Sequence, residues 1–201
     1  MKCLEQMRKL SAEYLAPRYQ QLLAQMGQPE FQKTLQQERI EIIKKTDRML
    51  KELQGLQETG MKGCLKAIQL SFLHSSNING TYTYELECLS QNIFDESPVR
   101  DYWVPMSVYR NLDSDKDFFR SIAKKKIIRV PEYEIEEFLH GYSLLYFDIT
   151  SMLFLSAVKP ALFELDSFRQ VKKDPEILVL LGGHMDRVVV LDTYREEEVG
   201  S

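Results

Sequence analysis

Apolar residues recur every three or four positions along the N-terminal part of the chain, which predicts amphipathic helices. We expect one helix over 4–26, kinked or divided at Pro17, and a second helix over 30–56. Gly27 and Pro29 mark the break between the two helices. Together these segments predict an N-terminal helical hairpin.

The second predicted helix carries a ladder of apolar residues at seven-residue intervals, the repeat of a coiled coil. The ladder consists of Leu35, Ile42, Met49 and Leu56. One interpretation is a seam between two copies of the chain, which predicts a homodimer. The other is that the helices pack on each other or on a sheet within one chain.

The longest apolar stretch runs from Tyr142 to Val158 and is interrupted near its middle by Asp148. Its aromatic and β-branched residues favour strands, so we expect it to form the centre of a sheet as one strand or two short ones. A buried helix is the alternative, because periodicity does not separate the two in a nearly continuous apolar run. A bilayer-spanning helix needs about 20 apolar residues, so this shorter run with an internal carboxylate predicts no membrane span.

Two pairs of alternating apolar runs predict β-hairpins. The first pair covers 65–75 and 82–88, and the Asn and Gly residues of 77–80 fit a tight turn between the runs. The second pair covers 177–181 and 188–191, and its turn begins with two glycines.

Further helices are expected over 116–125, 132–140 and 159–173. The fold class that follows is α+β, with an N-terminal helical hairpin followed by an antiparallel β-sheet with helices packed on one face. A glycine-rich linker after the helical hairpin marks a boundary. We therefore expect a helical region over 1–58, an α+β sheet domain over 64–194 and a frayed tail over 195–201.

The composition is that of an ordinary globular protein with a formal net charge of −4. That charge gives no general attraction to nucleic acid, and the basic run Lys124–Lys126 is expected to face water. The first residues lack the apolar core of a secretory signal. Cys3, Cys64 and Cys88 match no disulfide framework and no paired metal motif, which favours a reducing cytoplasm. We therefore expect a cytoplasmic protein without a nucleic-acid or membrane partner.

Two candidate metal motifs are incomplete. The acidic run that starts at Asp113 begins like a calcium loop, but Phe118 and Lys124 stand where that loop needs glycine and a bidentate glutamate. Glu137 and His140 are three residues apart on a predicted helix, whereas di-metal helical bundles need such a pair twice. The sequence therefore predicts no metal and no cofactor.

The best candidate for a ligand site is the glycine-led turn of the second hairpin. Paired glycines let a ligand approach the backbone, and the ionisable residues that follow suit acid–base or anion-binding roles. Trp103 lies in an irregular segment whose aromatic residues suit a pocket. The candidate ligand-binding residues are Gly182, Gly183, His184, Asp186, Arg187 and Trp103. A plain hairpin turn explains the same glycines without any ligand.

The sequence contains no recognisable catalytic pattern, so it favours a non-enzymatic binding or regulatory protein such as an adaptor. Its expected partner is another protein or a second copy of the chain, bound through the N-terminal helices. The alternative is a small-molecule sensor or an enzyme whose site is the Gly182–Arg187 turn.

Overall fold

The computed structural model describes residues 2–90, 97–183 and 188–195. Over these residues the protein is α+β, which confirms the predicted fold class. The helices are α1 (Lys2–Tyr14), α2 (Ala16–Met26), α3 (Pro29–Glu58), α4 (His74–Ile78), α5 (Met106–Tyr109), α6 (Leu112–Lys126), α7 (Glu132–Glu164) and α8 (Asp166–Gln170). The strands are β1 (Leu65–Phe72), β2 (Tyr84–Leu89), β3 (Val99–Trp103), β4 (Lys173–Gly183) and β5 (Val188–Arg195).

The chain forms two compact units, and each unit combines two segments that are distant in the sequence. The first unit consists of Met1–Gln36 and Pro105–Thr150, and the second consists of Gln37–Val104 and Ser151–Ser201. All five described strands belong to the second unit. Helices α3 and α7 contribute residues to both units, so the units differ from the contiguous division expected from the glycine-rich linker.

Pro17 divides the first predicted helix in two, as expected. Helix α1 ends at Tyr14, and α2 begins at Ala16 with Pro17 in its first turn. Backbone N–H groups in the first turn have no acceptor within the helix, so the N–H that proline lacks is not needed there. The next break, at Gly27, is also observed, because α2 ends just before this glycine and α3 begins just after it. The helical character of the N-terminal region is therefore confirmed.

The sheet has the strand order β3-β2-β1-β4-β5. Strands β1 and β2 pair antiparallel, as do β2 with β3 and β4 with β5, so both predicted hairpin pairings are observed. Strands β1 and β4 pair in parallel, which makes the sheet mixed rather than wholly antiparallel. The connection from β1 to β2 contains α4 and is longer than the tight turn that its Asn and Gly residues predict.

The central strand expected at Tyr142–Val158 is wrong, because these residues lie inside α7. Their burial follows the helical repeat of three to four residues. The buried side chains at this spacing are Tyr142, Tyr146, Ile149, Leu153 and Ala157. Asp148 lies on the exposed side of α7, as do Leu144 and Met152, so its carboxylate needs no buried cationic partner. The centre of the sheet is β1 instead.

The helix boundaries around α7 also differ from the expected ones. The helix continues through Gly141, past the end expected at residue 140, and an added Cβ at Gly141 would meet no atom within 4 Å. The helix predicted over 159–173 is divided between the end of α7 and α8. Gly141 is therefore an exposed position of a continuous helix rather than its end.

Over Glu132–Leu162, α7 is long and apolar enough to cross a membrane, judged among the described residues. More than half of its most apolar window is buried inside the protein. A core helix of a soluble protein meets the same criterion, so this helix is weak evidence for a membrane span.

Candidate functional site

The glycine-led turn predicted as a ligand site is described only at its start. Gly182 is buried near the end of β4, where it pairs with Ser71 of β1 and with Val188 of β5. Gly183 is the last residue of the strand. His184, Asp186 and Arg187 lie outside the described residues, so a site at this turn stays a prediction.

Trp103, the other predicted ligand-binding residue, is fully buried at the end of β3. Tyr84, Phe72 and Gly183 lie in the same row across the sheet as Trp103, so three strand spacings, about 14 Å, separate Trp103 from Gly183. The Trp103 ring packs on Tyr84 with 5.8 Å between centroids, and Tyr84 packs on Phe72 at 5.4 Å. Trp103 therefore belongs to an aromatic row of the core and is not close to the glycines.

The apolar ladder of α3 is largely buried within the chain. Leu35, Ile42 and Met49 are at most 3% exposed, and Leu56 is half-buried. Side chains in that state suit packing inside one chain, the second of the two interpretations of the ladder. Self-association through them is not tested by this burial and stays a prediction.

The residues of the two incomplete metal motifs are all placed on helices. Asp113 and Asp115 lie in the first turn of α6, where carboxylates are favoured by the helix dipole. Glu137 is exposed and His140 is half-buried, both on α7. Among the described residues, no three histidine, cysteine, aspartate or glutamate side chains are grouped so that they could hold a metal ion.

A polar cavity of about 430 Å³ lies within the first unit, between α2, α5, the start of α6 and α7. This volume falls in the range of about 300 to 1,000 Å³ that is typical of small-molecule sites. Most of the polar side chains that line it come from short stretches before and within α6 and from one face of α2. They include Arg18, Gln21, Ser107, Arg110, Ser114 and Asp115.

Asp115 is the one carboxylate among the described residues of the lining, and it forms an ion pair with Arg18 across two helices. Arg18 Nη1 donates to Asp115 Oδ1 at 2.5 Å. The Asp115 side chain is only 5% exposed, and a carboxylate at that depth requires a partner. The Arg18 guanidinium also lies over the Phe118 ring, 4.1 Å from its centroid, which holds the group in place. Asp115 is thus neutralised inside the protein.

Arg110 gives the cavity a second positive charge. It lies in the short link between α5 and α6, is exposed, and forms no ion pair among the described residues. Arg18 uses one of its nitrogens for Asp115, which leaves further guanidinium N–H donors for a ligand. Two guanidinium groups and one carboxylate leave the cavity with a net positive charge. Such a lining favours a small anion over a cation or a neutral apolar molecule.

Tyr146 forms the aromatic wall of the cavity. Its ring stacks on Tyr109 with 5.7 Å between centroids and meets the edges of Tyr19 and Tyr142 at 5.6 Å each. Burial raises the pKa of Tyr146, and the hydrogen bond with Tyr142, at 3.2 Å between the two hydroxyl oxygens, raises it further. The phenol is therefore neutral at physiological pH and acts as a wall and a hydrogen-bonding group rather than as a base.

This cavity is not evident from the sequence alone. Arg18 and Asp115 are 97 positions apart in the chain, and Asp115 reads in sequence as a helix-terminal charge. Arg110 stands in a segment without periodicity. No local motif links these residues, so only the packing of α2 against the start of α6 brings them together.

Comparison of the chain with protein-family models, with curated proteins and with solved structures found no match. Function is therefore inferred from the residues and geometry of the chain itself. Among the described residues, the cavity of the first unit is the best-defined place for a small ligand, because it combines enclosure, charge and aromatic walls.

Proposed function

We propose that this is a non-enzymatic binding or regulatory protein that recognises a small anionic molecule in the cavity of its first unit. The observation that carries the proposal is the charge of that cavity. Its buried carboxylate, Asp115, is already neutralised by Arg18, so the charge of Arg110 is available to a ligand. A cation without an internal partner in a concave site is a common feature of anion recognition.

The proposed ligand carries a carboxylate or phosphate group and a short polar body. Guanidinium groups bind either oxyanion through paired hydrogen bonds. Ser107, Ser114 and Gln21 supply polar contacts around the charge, and Tyr146 forms part of the wall beside them. The cavity volume of about 430 Å³ matches a molecule of metabolite size.

A binding role is favoured over catalysis by what lines the cavity. The lining contains serines but neither histidine nor cysteine among the described residues. Ser114 Oγ donates to the backbone oxygen of Asn111 at 2.9 Å, and the neighbouring carboxylate of Asp115 is paired with Arg18 rather than with this hydroxyl. The raised pKa of Tyr146, caused first by burial, keeps that phenol from serving as the missing base.

Cytoplasmic location is part of the proposal and is supported by the free thiols. Cys3, Cys64 and Cys88 form no disulfide, and Cys64 is exposed. An exposed free cysteine is typical of proteins in a reducing compartment.

A thermal unfolding assay with small anions tests the proposed function. Succinate and inorganic phosphate are titrated into the wild-type protein and into Arg18→Gln and Arg110→Gln. A ligand at about 100 times its Kd stabilises the folded state by about 2.7 kcal/mol, so the wild-type Tm is expected to rise with the concentration of at least one anion. Both cavity variants are expected to lose this rise.

Arg129→Gln is the matched control, because Arg129 is an exposed arginine of the same unit that does not line the cavity. This variant should keep the wild-type response. An equal rise of Tm in all four proteins would contradict the proposal, because it would reflect a general salt effect. The absence of any rise in the wild type would contradict it equally.

A further inference from the structure

A groove of about 690 Å³ separates α1 from the N-terminal part of α7, within the first unit and distinct from the polar cavity. Its floor is apolar, since Met7 and Tyr142 are 1% and 4% exposed. Its two walls expose leucine side chains, Leu4 on α1 at 44% and Leu145 on α7 at 41%. The groove is thus an open apolar channel between two helices.

The acidic first turns of α7 divide into two groups. On the side of α6, Glu132 accepts from Lys124 at 2.6 Å, and Glu136 accepts two hydrogen bonds from Arg120 at 2.6 and 2.8 Å. Each of these carboxylates is therefore paired with a basic side chain of α6. Glu134 and Glu137 line the groove instead, and neither forms an ion pair among the described residues.

The opposite wall carries the complementary charge. Arg8 of α1 lines the groove, is exposed, and also forms no ion pair within the part of the chain that the structure describes. The groove therefore has an apolar floor, one base without an ion pair on the α1 wall, and two such acids, Glu134 and Glu137, on the α7 wall. Charge of opposite sign on the two sides of an apolar channel is the complement of an amphipathic helix with an acidic and a basic flank.

We propose that this groove, which we call the α1–α7 groove, binds an amphipathic helix of a partner protein. The apolar stripe of that helix packs on Met7, Leu4 and Leu145, its acidic flank lies beside Arg8, and its basic flank lies beside Glu137. This partner site is independent of the anion proposed for the polar cavity. An acyl chain would leave the wall charges unmatched, and an anionic membrane surface would meet two carboxylates, Glu134 and Glu137, against the single cation of Arg8.

Three synthetic helical peptides with the same leucine stripe test the proposal. The first peptide has lysine on one flank and glutamate on the other, the second has lysine on both flanks, and the third has glutamate on both. Binding of each fluorescently labelled peptide is measured by anisotropy with the full-length protein. The mixed peptide is expected to bind the wild type about fivefold more tightly than either of the others.

Charge reversal of one wall at a time is expected to change this preference in a defined way. The double variant Glu134→Lys/Glu137→Lys makes both walls basic and should favour the peptide with two glutamate flanks. Arg8→Glu makes both walls acidic and should favour the peptide with two lysine flanks. Glu52→Lys is the matched control, because Glu52 is an exposed acid of α3 in the second unit, and it should keep the wild-type preference.

Circular dichroism confirms that each variant keeps its helical content before binding is compared. The proposal is overturned if none of the peptides binds with a Kd below about 1 mM, or if the order of preference is the same in all four proteins. It is also overturned if light scattering shows that a second copy occupies the groove, seen as a dimer that Leu145→Lys abolishes. The protein could also bind vesicles of phosphatidylcholine and phosphatidylserine in the absence of any peptide. If Leu145→Lys abolished such binding, the proposal would be overturned as well.

Discussion

At the scale of single residues, ion pairs stabilise two carboxylates that the fold has removed from water. Asp115 is paired with Arg18 in the first unit, and Asp101 is paired with Arg48 and Lys45 in the second. In both cases the carboxylate is at most 10% exposed, so its stability depends on its partners. None of these ion pairs joins residues that are close in sequence, and none was predicted from the sequence.

Asp115→Asn is expected to destabilise the protein by about 1 to 3 kcal/mol, because it removes a charged hydrogen-bond acceptor from a buried site. The loss is smaller than for a fully buried pair, since the Arg18 side chain is 37% exposed and stays partly hydrated. Urea unfolding at pH 7 measures the change. Asp113→Asn, an exposed acid in the same helical turn, is the control and should change the free energy of unfolding little.

Asp101 predicts a specific dependence of stability on pH. Burial opposes its ionisation, but the hydrogen bond from Arg48, the Tyr102 amide and the charge of Lys45 together lower its pKa. A group with a lowered folded-state pKa stabilises the protein above its unfolded pKa, about 3.9 for aspartate, and loses that effect as pH falls through the folded value. Asp101→Asn should therefore be less stable than wild type at pH 7, and the difference should shrink as the pH falls below the unfolded pKa of about 3.9 and through the lowered folded pKa.

Urea unfolding at a series of pH values measures this difference directly. Asp148→Asn is the control, because Asp148 is an exposed carboxylate of α7 with no ion pair among the described residues. Its difference from wild type should be small at every pH. A constant deficit of Asp101→Asn across the whole range would show that the residue acts through packing rather than through its charge.

At the scale of elements, the sequence predicted the right element where apolar residues recur at a clear interval. It predicted the wrong element where apolar residues occupy most positions of a segment. The division of the N-terminal helices at Pro17 and both strand pairings follow from spacing and turn residues alone. In Tyr142–Val158, most residues are apolar, so the helical repeat becomes clear only from which side chains the fold buries. β-Branched and aromatic residues then favoured strand, whereas tertiary packing produced a long core helix.

The apolar ladder of α3 provides a test at the same scale. Ile42 and Met49 are at most 1% exposed, so Ile42→Ala or Met49→Ala should each destabilise the protein by about 2 to 5 kcal/mol. Ile40→Ala, at an exposed position of the same helix, should cost much less. If the ladder packs only within one chain, the unfolding midpoint of the wild type should not depend on protein concentration. A midpoint that rises with concentration would indicate the dimer seam instead.

At the scale of the whole molecule, the candidate site is a product of topology. The first unit combines the two N-terminal helices with a segment that begins at Pro105, and the residues that line the polar cavity come from both parts. In the sequence, the contiguous motif best suited to a ligand site is the Gly182–Arg187 turn. Arg18, Arg110 and Asp115 carry no signature in sequence, since an arginine or aspartate on a helix is usually a solvated surface charge.

The same topology separates two kinds of recognition in the first unit. The polar cavity suits a small anion, and the α1–α7 groove suits a helix with two charged flanks. Tyr146 lines the cavity, Tyr142 lines the groove, and their hydroxyl oxygens are 3.2 Å apart. The two proposals make separate predictions, because Arg110→Gln should affect only the anion and Glu134→Lys/Glu137→Lys only the peptide.

The most direct test of the central claim is the response of individual arginine side chains to a small anion. In ¹⁵N NMR spectra, the Nε–Hε signals of Arg18, Arg110 and Arg129 are identified from the corresponding glutamine variants and followed during titration with succinate or inorganic phosphate. If the cavity binds the anion, the signals of Arg18 and Arg110 should shift together, saturate with one Kd and leave Arg129 unmoved. Equal, unsaturated shifts of all three signals, or no shift with either anion, would contradict an anion site in the cavity.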